Sequence, residues 1–522
     1  MRKTPNGLSF DSRDLMRSQC AHCTKVSVAR ELKVAGIQQL IDQFYVKPDG
    51  LAIRYGMKFE AVLEDELVRN LGDLVQAPQP QTLEATLELM KQGVPVIYQG
   101  VLKGGSGELE FSGRPDFLLR GDYRFEMGEL GLTAIQTSSW SGGYTAWDAK
   151  LSGSPKPDYQ IQVGLYADVL RTLGLEAQAD HGLILGNREI ASFAADAVIA
   201  QMIAKRDSYQ ASVAEFLLTN PQRLEDIGEL VCEASRYCDM CEYPALCRHM
   251  RLETNHLQLV AGITKPQIEA LRQLGITTVR QLAALDEPTS KHSVEVIRKL
   301  ALQAKLQQNF YDTGIRSQVV SDPELLAELP KPNPGDLFFD LEGFTFFGEP
   351  GGLEYLWGWM DAKGDFFHFW ADDRAGEEQA YEAFMQFLLN NRKRYPESRV
   401  YHYAQYEKTA LKKLAARTGK YEYEVMQLIE TGVFVDLYRV VEKTLVISEE
   451  RYSIKNLENF YALDRSSDVK EAMGSMEFYD DYLSVLAADA NAAEKLKRQV
   501  IAYNRDDCAS TLALYKWLLD LT

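Results

Sequence analysis

Apolar and polar positions along the chain follow two periods. Over residues 56–70 apolar side chains recur every three to four positions, with Phe59, Leu63, Leu67 and Val68 on one side, which predicts an amphipathic helix. Short apolar runs over 94–101, 109–119 and 144–151 predict strands, and further strands are expected around Leu183 and Ala191. A helical pattern over 159–170 lies between them. Helices beside a mixed sheet define an α/β core.

A second α/β pattern follows Pro330, Pro332, Pro334 and Gly335, a run that reads as a linker. Strands are expected at 337–344, 355–361 and 365–371, close enough together for an antiparallel meander, and at 400–403 and 433–435. Helices are expected at 377–389, 407–417 and 496–519. Between the two patterns, Gly262-Ile263-Thr264 and Leu274-Gly275-Ile276-Thr277 each read as a turn before a helix, with a threonine available as N-cap. The pair resembles a helix-hairpin-helix unit, with a plain helical connector as the alternative, and the expected organisation is a multidomain α/β protein: 1–250, this helical segment over 251–330, and 331–522.

Composition narrows the class. The chain has 522 residues, 46% apolar and 25% charged, as in an ordinary globular protein. No apolar run approaches the ~20 residues of a membrane helix, and no apolar stretch follows the first basic residues, so a cytoplasmic protein with no membrane partner is expected. A net charge of −18 argues against gripping nucleic acid by bulk electrostatics, though not against a local basic groove. Seven cysteines are too few for a disulfide scaffold of this size.

Acidic residues fall into two sets. Asp148 and Lys150 are two apart in an expected strand and so share a face, and Asp116 follows Pro115 in an earlier one. Two carboxylates suit Mg²⁺ or Mn²⁺, and an adjacent lysine can neutralise a reacting phosphate. Asp340 and Glu342 share a face of another expected strand, where they repel unless a cation lies between them. Tyr503 and Asp507 share a helix face, while Asp506 points elsewhere and is expected in solvent; Glu407 begins a helix, where a negative charge is favourable in any case. Cys238, Cys241 and Cys247 lie within ten positions and need a fourth partner, for which Cys20, Cys23 and Cys232 are all candidates. Four thiolates suit Zn²⁺ or an iron–sulfur cluster. Cys508 stands alone and reads as core.

The ordered set Gly56-x-x-x-Glu60, Pro115-Asp116, Asp148-x-Lys150 and Gln162-x-x-x-Tyr166 resembles the RecB family of PD-(D/E)xK nucleases. The resemblance implies that Glu60, Asp116 and Asp148 are metal ligands, that Lys150 is the catalytic lysine, and that Gln162 and Tyr166 close the site. It also implies a four-iron four-sulfur cluster on Cys20, Cys238, Cys241 and Cys247, with zinc as the alternative. Many members carry histidine where this chain has Glu60.

The order Asp340-x-Glu342, Tyr406-Glu407 and Tyr503-x-x-x-Asp507 resembles the RNase H-like DEDD exonucleases of the tyrosine subtype, with Val435-Asp436-Leu437 and Tyr452-Ser453-Ile454-Lys455 as secondary matches. This implies that Asp340, Glu342, Glu407 and Asp507 hold two Mg²⁺, and that Tyr503 orients the attacking water. Glu407 stands where the family has Asp. Together the two resemblances imply a nuclease of single-stranded or end-exposed DNA, with a separate helicase as an allowed partner. No G-x-x-x-x-G-K-S/T phosphate loop is present, so no ATPase is expected. The alternatives are a binding module with degenerate sites, an RNA rather than DNA exonuclease, and a redox protein built around the cysteines.

Overall fold

The computed structural model describes residues 1–522 except 5–6, 18–19, 46–49, 105–108, 228–232, 236, 239–240, 286–293, 349–350, 462, 464 and 466–471. The chain forms two compact units, Met1–Met250 and Arg251–Thr522. Among the described residues no helix is long and apolar enough to cross a membrane.

The first unit is built on a six-stranded sheet in the order Ile190–Phe193, His181–Leu185, Tyr144–Lys150, Phe117–Arg120, Val96–Tyr98, Val75–Gln76. Tyr144–Lys150 is central, parallel to His181–Leu185 and antiparallel to Phe117–Arg120. Its first five residues are buried, Tyr144, Ala146 and Trp147 as the apolar positions that predicted the strand, and Thr145 and Asp148 with them. Pro157–Thr172 begins with Pro at its first turn, where the missing N–H costs nothing, and buries Val163 against Leu183, Leu185 and Val198. A four-stranded sheet, Arg2–Thr4, Gly7–Phe10, Leu109–Gly113, Leu102–Gly104, packs on the same core.

One expected strand is two. Residues 109–119 divide into Leu109–Gly113 and Phe117–Arg120, which belong to different sheets. Pro115 lacks the N–H that a continuous ladder needs, so the chain leaves one sheet and enters the other there. Asp116 therefore sits at a strand entrance rather than in mid-strand.

In the second unit a five-stranded sheet has the order Phe366–Trp370, Leu353–Asp361, Leu337–Phe344, Val400–His402, Phe434–Asp436. The first three are antiparallel, and the last two join in parallel. Arg374–Arg394 and Tyr406–Thr418 cover one apolar face through Phe384, Met385, Leu411 and Leu414. The helix Ala490–Asp520 starts at Asp489, whose side chain accepts the Asn491 and Ala492 N–H groups, and it buries Leu514, Tyr515 and Leu518 in a core shared with Phe338 and Tyr401.

The 251–330 segment is packed into this unit. Lys265–Gln273 and Val279–Ala283 begin with capping boxes, Thr264 with Gln267 and Thr278 with Gln281, so the second cap is one residue beyond the expected Thr277. Two buried glutamines on Val294–Thr313 supply amide bonds: Gln303 donates to Ile447 O at 2.6 Å and Gln307 to Leu259 O at 2.7 Å. These satisfy carbonyls that burial would otherwise strand.

His181 is fully buried, and its Nδ1 accepts the Ala146 N–H at 2.9 Å, two residues before Asp148. Burial pushes its pKa down to about 4, against a small opposing pull from Glu176. The unfolded chain binds this proton near pH 6.5 and the folded chain only near 4, so the stability contributed by the neutral imidazole is full above pH 6.5 and is lost as pH drops towards 4. Denaturant titrations are expected to show a loss of up to about 3 kcal/mol across that window, with His181→Gln flattening it.

Candidate metal centres

The acids of the second unit converge from opposite ends of its sequence. Asp340 and Glu342 lie on the central strand Leu337–Phe344, and Asp507 comes from Ala490–Asp520. One carboxylate oxygen from each lies within 4.8 Å of the others, and no other such trio occurs among the described residues. Burial, then the neighbouring carboxylates Glu342, Asp507 and Glu407, push Asp340 well above the carboxylate range. Burial and Asp507 push Glu342 up to about 8. Burial also raises Asp507, against the pull of Arg465, whose Nη2 donates to Asp507 Oδ1 at 2.7 Å. A pocket that resists holding its own negative charges is one that a divalent cation relieves.

Neighbours fix these oxygens. Asn504 Nδ2 donates to Asp340 Oδ2 at 2.7 Å, and Ser475 Oγ donates to Glu342 Oε2 at 2.7 Å. Asn504 reaches Asp340 because Gly358 is its cross-strand partner: a Cβ there would lie 1.6 Å from Asn504 Oδ1. Tyr503 is buried, with its phenol raised by burial and then by Asp507, and the Lys455 ammonium lies 5.2 Å from its ring centroid.

Glu407 is buried nearby but outside the trio. Its Oε2 faces His402 Nδ1 at 3.2 Å, and neither atom has a hydrogen-bond partner among the described residues. Asp436 caps the helix Leu437–Thr444 and accepts from Ala404 N and Gln405 Nε2. Asp506 is buried rather than in solvent, because the helix is covered on more than one side. Cys508 is fully buried among Leu512, Tyr401 and Tyr515. Sequence reading passed over Asn504, Ser475, His402 and Arg465; only the Gly358–Asp340 register could have pointed to the first.

In the first unit Asp116 and Asp148 interlock. Asp148 Oδ1 accepts the Asp116 N–H at 3.2 Å, and Asp116 Oδ2 accepts the Ala149 N–H at 2.6 Å. Lys150 Nζ donates to Asp148 Oδ2 at 2.9 Å. Burial and Asp148 push Asp116 well above its usual range, with Lys150 opposing and Glu60 adding to the push. Burial works against the Lys150 ammonium, yet Asp148 and Asp116 hold its pKa above the usual value. Glu60, on Gly50–Leu71, accepts from Gln99 Nε2. Gln162 Nε2 donates to Tyr166 OH at 3.0 Å, and that hydroxyl donates to Arg114 O at 3.2 Å. The Gln–Tyr pair thereby anchors the turn that presents Asp116.

Cysteines from both ends of the first unit meet. Cys23 Sγ is 3.8 Å from Cys241 Sγ, and Cys247 Sγ is 3.5 Å from His22 Nδ1. Backbone N–H groups point at sulfur in three places: Cys23 to Cys20, Ser235 to Cys238 and Tyr243 to Cys241. Cys20 is the N-cap of Ala21–Leu32, and Cys23 in its first turn makes the thiol–thiol contact. Cys232 lies outside the described residues.

Residues 337–519 match the family model described as RNase_H superfamily. The match supports an RNase H-like domain in this stretch, a fold of the nuclease type, and its acid trio is a candidate divalent-metal site. No curated protein and no solved structure matches the chain.

With Glu342 raised to about 8, the stability that its protonated form contributes in the absence of metal is full below pH 4.5 and is lost as pH rises through 8. Mn²⁺ at a hundredfold excess over its Kd is expected to restore about 2.7 kcal/mol. Asp340→Asn is expected to raise metal-free stability at pH 8 by on the order of 1 kcal/mol and to abolish the Mn²⁺ effect; thermal melts with and without Mn²⁺ measure both.

Proposed function

We propose that the chain is a divalent-metal-dependent nuclease with two phosphodiester-cleaving centres, acting on single-stranded or end-exposed DNA. The observation that carries this reading is the converging trio of half-buried Asp340, buried Glu342 and half-buried Asp507 inside the stretch that matches the RNase H superfamily. There Mg²⁺ or Mn²⁺ would be held by these three, with Glu407 as an outer fourth, and would acidify a water and stabilise charge on the phosphate. Tyr503 would orient that water, and Lys455 and Arg465 would limit repulsion between the carboxylates and an arriving phosphate. The cleavage sense would be 3′-to-5′, as the DEDD resemblance implies.

The second centre would be a PD-(D/E)xK core in residues 1–250. Asp116 and Asp148, with Glu60, would hold the metal, Lys150 would neutralise the reacting phosphate, and Gln162 and Tyr166 would steady the Asp116 turn. Its support is the carboxylate–lysine interlock and the Gln–Tyr–Arg114 chain. The cysteines suit a thiolate-bound group, a four-iron four-sulfur cluster or Zn²⁺, because N–H···S bonds favour the charged thiolate. Cys238, Cys241 and Cys247 would be joined by Cys20 or Cys23. The helical segment 251–330 would join the two nuclease parts, and a separate helicase would supply unwound ends. A cytoplasmic setting goes with this reading, since thiolates stay reduced there.

The separation of Glu407 from the trio favours one second reading, a nucleic-acid-binding module whose sites no longer cleave. Protein purified without oxygen and incubated with labelled DNA and RNA strands plus Mn²⁺ decides between them. Nucleotide release is expected, falling about 100-fold at the affected centre in Asp148→Ala and in Asp340→Ala. Binding without release in the wild type overturns the nuclease reading. Visible absorbance that bleaches on reduction marks an iron–sulfur cluster, whereas Zn²⁺ gives none.

A further inference from the structure

Beside the first acid set lies a cleft of about 800 Å³, into which Lys150, Gln162 and Tyr166 open. Its charge runs against that of the chain, whose net value is −18. Arg2, Lys3, Lys103 and Arg114 line it, and all four are exposed. None of them forms an ion pair with a carboxylate among the described residues. They share one origin. Arg2 and Lys3 lie on Arg2–Thr4 and Lys103 on Leu102–Gly104, the two outer strands of the four-stranded sheet, and Arg114 directly follows its strand Leu109–Gly113.

The carboxylates of the cleft are mostly engaged. Asp11 holds Arg13 at 2.9 Å, and Asp14 accepts the Asp11 N–H at 3.0 Å, which leaves Glu110 as the exception. Cations without carboxylate partners, in an otherwise acidic chain, mark where a polyanion lowers the energy most.

We infer that this sheet is a binding tract for the sugar–phosphate backbone of one nucleic-acid strand, leading it to Lys150 and the Asp116–Asp148 pair. The inference rests on the nuclease reading of that acid set. A cavity of this volume falls among those that take ligands of a few hundred daltons, so it holds a short stretch of one strand. A duplex, whose major groove alone is about 12 Å across, does not enter. Phe10 and Tyr166 are the aromatic side chains lining it and both are buried, so no exposed ring stacks a base. Recognition is by phosphate charge and is indifferent to sequence.

The test reads binding separately from cleavage. Fluorescence anisotropy of labelled oligothymidylate is measured on the full chain in EDTA at several salt concentrations. The pairs Arg2→Gln/Lys3→Gln and Lys103→Gln/Arg114→Gln are each expected to weaken binding and to lower the slope of log K against log salt by about 1.4, two contacts at about 0.7 each. A control pair, Lys33→Gln/Lys91→Gln, neutralises exposed cations that do not line the cleft and is expected to leave the slope unchanged. Circular dichroism and melting temperature verify that each variant is folded.

Unchanged slopes in the cleft variants, equal loss in the control, or equally tight and equally affected duplex binding each overturn the inference. Failure of the nuclease reading shows differently: cleft-dependent binding persists in EDTA, while Mn²⁺ gives no cleavage that Asp148→Ala removes.

Discussion

Mutual repulsion among Asp340, Glu342 and Asp507 is the constraint on which the second unit's site depends. Three carboxylates crowded into a largely desolvated site are unfavourable unless protons or a cation are shared among them. The surrounding fold holds them there regardless: a central strand fixes two, a long helix fixes the third, and Asn504, Ser475 and Arg465 pin individual oxygens. The repulsion stored in that arrangement is what a divalent ion would relieve. Packing of the sheet against its helices supplies the opposing stability.

The first unit solves a similar problem differently. Its two acids are held by backbone N–H groups, Asp148 by that of Asp116 and Asp116 by that of Ala149, and Lys150 pairs with Asp148. The cation inside that site and the cations along the adjoining sheet give this end of the chain a local charge opposite to its overall balance. Net charge therefore says little about where a polyanion would be favoured; the distribution of charge decides.

Much of the second unit was legible because its strands are nearly continuous apolar runs and its helices are amphipathic, so period and length agree. The strand Leu337–Phe344 and the helix Ala490–Asp520 follow the pattern, with Asp340, Glu342 and Asp507 spaced to share faces. What pattern misses is set by tertiary context. The break at Pro115 separates two sheets that share one apolar run. Asp506 is buried because the helix is covered on more than one side, which a single-helix view does not contain. Spacing left Cys20 and Cys23 equivalent, and only the fold sets Cys23 against Cys241. Asn504 carries no sequence signal of its own, since its role depends on the absence of a side chain at Gly358, across the sheet from Asp340.

The wide separation in sequence of Asp340 and Asp507 has a consequence for biosynthesis. The ribosome delivers the strand with its paired acids long before the closing helix that brings the last. Until that helix emerges and docks, the nascent chain has an incomplete cage, and long-range contacts of this kind form late in folding. A candidate ion site assembled in this order stays open until residues 490–520 have been made, so cation uptake would report completion of this unit rather than of its early strands.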